Sequence, residues 1–478
     1  MPDHFKILIP GAKADGTIDV TAPYNGALIA TIDTGGSEAA EQALTTAHAL
    51  FRDKKNWLTK EQRINILVKT AEIMQSRFDE IAIEAAREGG KPLVDSKVEV
   101  ARAIDGIKNC AELVSAEHGE EIAMGKNASS MNRLAFTTLE PIGVVVAVSA
   151  FNHPLNLAIH QICPAVATGC PVIIKPADDT PLSCFRLISI LHEAGLPKGW
   201  CQGIVTSTLD TATQLVTDKR VAFFSFIGSA NVGWMLRSKL APGTRCALEH
   251  GGVAPVIVEA DSDLKEVLPL LAKGGFYHAG QVCVSVQRVF AHKSIARELA
   301  ERIAKAGDEM KVGDPTLPDT EIGPLIRHKE TDRVDEWVQD ALAKGAELIT
   351  GGHKISASCY EATVLFNAPA DATISGNEIF GPVICVYEYD DIDDAIARAN
   401  SLEVVFQAAV FSKNIDTCMH VFKQIDAAAV MVNDHTAFRV DWMPFAGLKQ
   451  SGHGVGGIPY TFEEMQIKKM MVIKSPSL

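Results

Sequence analysis

Paired cysteines are missing from this chain. Its ten cysteines (Cys110, Cys163, Cys170, Cys184, Cys201, Cys246, Cys283, Cys359, Cys385 and Cys418) include no C-x-x-C. That suits neither a zinc cage nor a disulfide framework, so they read as reduced thiols and no metal site is expected. Basic charge is short as well: 45 Lys and Arg against 59 Asp and Glu give a formal charge of −14. Binding a nucleic-acid backbone needs concentrated Lys and Arg. No apolar run reaches the ~18 residues of a membrane span. The opening MPDHFKILIPGAKADG has no basic region followed by a long apolar segment and a cleavage site. The expectation is a cytoplasmic protein with no nucleic-acid and no membrane partner. Internal repeats of solenoid length and low-complexity tracts are absent too.

What is there is enough apolar residue, 47% of 478, for more than one core, so two or three structural units are expected. From Glu61 to Glu88 the residues Leu67, Ala71, Met74, Phe78 and Ile81 recur at three- and four-residue steps, the face of one amphipathic helix on the outside of a domain. Between Ile142 and Gly228 short apolar runs (IGVVVAVSA, PVIIKP, WCQGIVTS, VAFFSFIG) alternate with helical stretches ending at Gly169 and Gly195. This describes βαβ units and a parallel sheet covered on both faces, a nucleotide-binding architecture. A second alternating run goes from APVIVEAD, through helices around Leu264 to Ala279 and Ile295 to Met310, to VVFQAAVFS and AAVMVND. It is long enough for an α/β domain of its own. EEIAMGKNASSMNRLAFTTLE and TFEEMQIKKMMVIKSPSL escape the alternation and read as strands outside the domains. A lone ribbon is marginal unless it pairs with something, and a second subunit is the expected partner.

In parallel sheets, ligands bind beyond the carboxyl ends of the strands. VVVAVSAF runs to Asn152, whose amide can donate to a developing oxyanion. PVIIK ends at Lys175, followed by Asp178; a cation and a carboxylate there can bind the hydroxyls of an adenosine ribose. A 2′-phosphate would meet Asp178 badly, which favours NAD, with NADP as the alternative. VAFFSFIG runs into GSANVG, where Gly228, Ser229 and Gly233 open a helix whose free N–H groups suit a pyrophosphate, although the spacing is not G-x-G-x-x-G. Each has a plainer reading: a turn residue, a solvated loop, a helix cap, and for the cysteine of GQVCVSVQ a small buried apolar side chain.

Their joint order says more. It runs Asn152, Lys175, GSANVG, LEHGG with Glu249, GQVC with Cys283, NEIFGP with Glu378 and Phe380, then PFAGLKQSGHG. Over nearly its whole length the sequence resembles the aldehyde dehydrogenase superfamily. The resemblance implies that Cys283 adds to an aldehyde, that Asn152 and the Cys283 backbone N–H hold the alkoxide, and that Glu249 activates water toward the resulting thioester. It also implies that Glu378 holds the nicotinamide ribose and that Phe380 packs against the ring end. Departures from the family pattern are Ile227 before Gly228, His250 after Glu249, Ala446 in PFAG, and Asp178 in place of a longer Glu.

FNHP, with His153, is similar to members that oxidise small anionic or hydroxylated aldehydes such as phosphonoacetaldehyde, sulfoacetaldehyde and lactaldehyde. Arg102 and Arg439 match positions where such enzymes carry arginine, and a guanidinium fork reads a carboxylate, sulfonate or phosphonate. The arginine those enzymes carry before the nucleophile is Val282 here, so a singly charged or hydroxylated aldehyde is favoured over a doubly charged one. A general or semialdehyde dehydrogenase, a silent structural protein and a thiol esterase on the same fold are the other readings. The expected fold is α/β in three parts: a Rossmann-like NAD-binding domain (1–119 and 140–247), an α/β catalytic domain (248–441) and a small β oligomerisation ribbon (120–139 and 458–478). A homodimer or homotetramer is implied.

Overall fold

The computed structural model describes residues 3–478. Six strands form the first sheet, in the spatial order Gly452–His453, Arg245–Glu249, Val221–Ile227, Val144–Val148, Val172–Lys175 and Cys201–Gly203. All pair in parallel except Gly452–His453. From Val144–Val148 the chain builds outward on one side, then returns to build the other side with Val221–Ile227 and Arg245–Glu249. The strand order therefore reverses between Val144–Val148 and Val221–Ile227, and a crevice opens beyond their carboxyl ends.

The helix Pro154–Thr168 is buried at every residue, which is why its sequence shows no polar face. Pro154 starts it where no N–H partner is needed, and Gly169 stops it in the left-handed conformation at φ 83°. It packs with the helices Lys60–Ser76 and Leu93–Ala116 into a core of Ile107, Ile159, Ile162 and Phe223. Each such side chain removed from water stabilises by roughly 1.5–3 kcal/mol.

The second sheet has seven strands in the order Glu347–Thr350, Thr363–Phe366, Val383–Tyr389, Arg288–His292, Pro255–Val258, Gln407–Phe411 and Ala429–Val432. Only Glu347–Thr350 runs antiparallel. A three-stranded antiparallel sheet joins Gln466–Lys474, Arg133–Pro141 and Glu121–Ile122. Near the amino terminus Asp3–Phe5, Leu28–Gly35 and Gly16–Thr21 form a further small sheet that Val205–Thr206 joins. Among the described residues no helix is long and apolar enough to cross a membrane.

Three details depart from the sequence reading. The stretch from Glu61 to Glu88 is two helices, Lys60–Ser76 and Phe78–Gly89, broken at Arg77 (φ −110°, ψ 21°). No glycine or proline marks the break, and the apolar spacing runs straight through it. Leu67 and Met74 are fully buried while Glu61, Lys69 and Glu72 are exposed, so the first helix lies on the outside of the domain with its apolar face inward, as its spacing predicts. The two presumed lone strands bond to each other over Gln466–Lys474 and Arg133–Pro141, so each has a partner within the chain, while the outer edge of Gln466–Lys474 stays open. The terminal stretch also begins as helix, within Ile458–Glu464.

Candidate active site

Beyond the crevice lies a cavity of about 520 Å³ between the two large sheets. Cys283 reaches it from a constrained turn. The helix Leu264–Phe276 ends, and His278, Ala279 and Gly280 follow with φ of 51°, 53° and 70°. A Cβ at Gly280 would stand 1.9 Å from the carbonyl of Gly381, so only glycine fits there. Val282 and Val284 on either side pack with Phe406 and Phe445. The alternation of GQVCVSVQ thus buries the valines and turns the cysteine toward the cavity. Of the ten thiols, only Cys246 and Cys283 are not buried.

Loss of water in the cavity pushes the Cys283 thiol up to about 12; the guanidinium of Arg439 pulls the other way, and Glu378 and Glu249 add to the rise. The Cys283 backbone N–H faces its own sulfur. Asn152 sits in the turn after Val144–Val148, four residues past the strand. Its Nδ2 donates to the carbonyl of Gln281 at 2.9 Å, leaving the second amide proton for the cavity. The Asn152 carbonyl accepts from Nζ of Lys91 at 3.3 Å, and Lys91 is fully buried in an ion pair with Glu99. Glu99 also caps the helix Pro154–Thr168, accepting from the N–H groups of Leu155 and Asn156.

Glu249 closes the strand Arg245–Glu249 and faces the cavity. Burial raises its pKa against the pull of Arg439. A Cβ at Gly456 would lie 1.9 Å from Glu249 Oε1, so the carboxylate in this position needs a bare backbone behind it. Glu378 accepts from the Gly252 N–H at 3.2 Å, and burial pushes its carboxyl up to about 8. Phe380 meets Phe151 edge-on, with centroids 5.8 Å apart.

Lys175 donates to Asp178 at 2.7 Å at the strand end. Arg327 reaches over from the other half of the molecule to pair with Asp179. Ser229 precedes the helix Ala230–Arg237 without using its side chain as a cap. Its hydroxyl and the first N–H groups of that helix stay available to a phosphate oxygen. Gly233 is the one sequence-predicted site residue that does not line the cavity. It is buried against the ring of His250, where a Cβ would stand 2.0 Å from Cε1. His250 in turn bonds through Nδ1 to the Gly228 carbonyl at 2.8 Å and so braces the glycine turn. Lys175, Asp178, Ser229 and Glu378, arranged in this way, fit a nicotinamide dinucleotide.

His153 bonds Tyr277 Oη at 2.9 Å. Arg102 lines the cavity but grips Asp441 at two points, Nη2–Oδ1 2.7 Å and Nε–Oδ2 3.1 Å. Arg439 stacks on Phe445 with its guanidinium carbon 3.5 Å from the ring centre, and its Nε is buried without a partner. Burial lowers its pKa. Lys91, Glu99, Gln281, His160 and Asp441 are site residues that the sequence reading missed. The only local cue was the Gly-Gly-Lys-Pro run that contains Lys91.

The family model for the "Aldehyde dehydrogenase family" matches residues 11–471. The chain belongs to the aldehyde dehydrogenase family. It is an NAD(P)-dependent oxidoreductase of that family. This aldehyde dehydrogenase is 36% identical over 438 residues to the 3-sulfolactaldehyde dehydrogenase of Priestia aryabhattai, covering 91% of each chain. Its fold matches aldehyde dehydrogenase 21 of Physcomitrella patens, solved in complex with the reaction product succinate, with a TM-score of 0.96, 32% identity and 100% of both chains covered. It also matches the glyceraldehyde-3-phosphate dehydrogenase of Methanocaldococcus jannaschii complexed with NADP, with a TM-score of 0.91, 34% identity, and coverage of 97% of this chain and 100% of the other.

Proposed function

We propose that this aldehyde dehydrogenase oxidises a small aldehyde carrying one anionic or hydroxyl group to the corresponding carboxylic acid, using NAD in preference to NADP. The observation that carries the reading is Arg439, a cavity-wall guanidinium with a buried, unpartnered Nε in a lining that also holds Cys283 and Glu249. Arg439 is half-buried, but a guanidinium N–H shut off from water without a partner is costly unless a ligand supplies one.

Cys283 gives its proton to solvent water as the nearby guanidinium compensates the thiolate, and its sulfur adds to the aldehyde carbon. The Asn152 amide and the Cys283 N–H hold the resulting alkoxide. A nicotinamide held by Lys175, Ser229 and Glu378 would supply the hydride acceptor, and Cys283 would then hold the acyl group as a thioester. Glu249 then draws a proton from water, which attacks the thioester and releases the acid. NAD is favoured because the Asp178 carboxylate, held by Lys175, repels a 2′-phosphate; the NADP bound by the archaeal relative keeps NADP as the alternative. The succinate in the moss relative supports a second reading, a semialdehyde with its carboxylate at the far end.

A homodimer is favoured by Met470, Met471, Val472 and Ile473, exposed on the edge strand Gln466–Lys474. The many buried thiols suit a reducing cytoplasm. The test is NADH production from propanal, lactaldehyde, succinic semialdehyde and sulfoacetaldehyde by wild type and Arg439→Ala. Anionic aldehydes should lead and should lose about tenfold to a thousandfold in kcat/KM in the variant. Propanal as the best substrate, with anionic aldehydes used equally by both proteins, would sink the reading.

A further inference from the structure

Three guanidiniums line the cavity, and two of them are already engaged. Arg327 holds Asp179. Arg102 holds Asp441, a carboxylate only 2% exposed. Arg439, among the described residues, has no carboxylate within ion-pair distance. Its polar neighbour is instead an imidazole: Nη2 lies 3.5 Å from Nδ1 of His160. The other ring nitrogen of His160, Nε2, donates to Asp441 Oδ1 at 2.7 Å. That bond places the ring proton on Nε2 and leaves Nδ1 as a neutral acceptor toward Arg439. Asn156 Nδ2 donates to the same carboxylate oxygen at 3.0 Å.

One buried carboxylate thus does two things. It cancels the charge of Arg102, and through His160 it orients Arg439 without cancelling that charge. Burial drives the His160 pKa down to about 4, so the ring stays uncharged beside Arg439. Burial alone would raise the Asp441 pKa, but the bonds from His160 and Arg102 outweigh it and hold the group ionised. Of the pair Arg102 and Arg439, one net positive charge remains for a ligand.

We infer that Asp441 is a specificity-determining residue: by occupying Arg102 it restricts this cavity to aldehydes bearing a single negative charge and excludes dianions of the phosphonate or phosphate class. This rests on the reading of Arg439 as the anion-binding group. Asp441 touches no reacting atom and acts through Arg102 and His160.

The test compares kcat/KM for propanal, succinic semialdehyde and phosphonoacetaldehyde at mildly alkaline pH, where the phosphonate carries both charges. Releasing Arg102 by Asp441→Asn should raise the phosphonoacetaldehyde to succinic semialdehyde ratio by about tenfold to a hundredfold, the worth of one charge-assisted contact. The double variant Asp441→Asn with Arg102→Leu should lose that gain. A damaged site loses activity and does not acquire a new preference, so the gain separates this role from a merely structural one. Should Asp441→Asn fail to fold, Asp441→Ser, which keeps an acceptor for His160, must show the same gain. If wild type prefers succinic semialdehyde to propanal but the ratio stays flat in the folded variant, the inference about Asp441 is overturned and the role of Arg439 stands. If wild type prefers propanal, the anion-binding reading fails and this inference fails with it.

Discussion

The side-chain amide of Asn152 and the backbone carbonyl of Gln281 are joined at 2.9 Å, a bond that spans the two halves of the molecule two residues ahead of Cys283. The Asn152 amide and the Cys283 thiol are therefore positioned relative to each other before any substrate arrives. Such pre-organisation is what lets a hydrogen-bond donor act without reorganisation during the reaction.

Asn152→Ala should lower kcat by about 10²–10³, the usual cost of one oxyanion donor. Asn152→Asp, similar in shape but anionic, should lose at least as much. Steady-state NADH formation measures both, and a loss below about tenfold would remove Asn152 from the alkoxide site.

Cys283→Ala should abolish turnover while still binding NAD. Glu249→Gln should give a single burst of NADH and then stall at the thioester. Rapid-mixing absorbance and intact mass of the acyl-enzyme report the two steps separately. A normal steady-state rate in Glu249→Gln would remove its water-activating role.

Gly456→Ala sets a Cβ against Glu249 Oε1, where only 1.9 Å is available. The carboxylate must move, so hydrolysis should slow by about tenfold or more with the burst retained. A variant with wild-type kcat would show that Glu249 has slack that this geometry does not suggest.

Lys91→Met removes one partner of a fully buried ion pair and strands Glu99. Breaking such a pair costs roughly 3–5 kcal/mol, read as a lower urea midpoint. Lys91→Met with Glu99→Gln should recover part of the loss.

Glu378 supplies a pH signature. Its folded pKa is raised to about 8 from 4.5. Through that window the unfolded carboxyl has released its proton and the folded one keeps it, so the folded state binds more protons and its stability falls as pH rises. The Tm of wild type should drop relative to Glu378→Gln from pH 4.5 toward 8 and then run parallel to it. Parallel curves throughout would show that the carboxyl is not held protonated.

Much of the site was legible because its residues fall at ends of strands, and strands announce themselves as apolar runs. Lys175 at the end of PVIIK and Gly228 at the end of VAFFSFI are of this kind. Asp441 and His160 were not legible: their bond joins residues 281 positions apart, and nothing local marks either one. Glu99 stands in VEVAR with nothing local to set it apart from a solvated charge, yet it is buried against Lys91. The left-handed backbone of His278 and Ala279 has no sequence sign, since neither residue type requests it. Gly233 was misplaced because a glycine at a helix start suits a phosphate and a neighbouring imidazole equally well, and only the packing of His250 chooses between them.

The antiparallel pairing of Gly452–His453 on Arg245–Glu249 has a consequence for biosynthesis. Arg439, Asp441 and Gly456 all lie far downstream of Cys283, so a nascent chain emerges with its thiol well before it holds Arg439 or the strand that packs beside Glu249. The cavity around Cys283 is complete only once residues as far as Gly456 are in place, and until then the thiol lacks the burial that pushes it up.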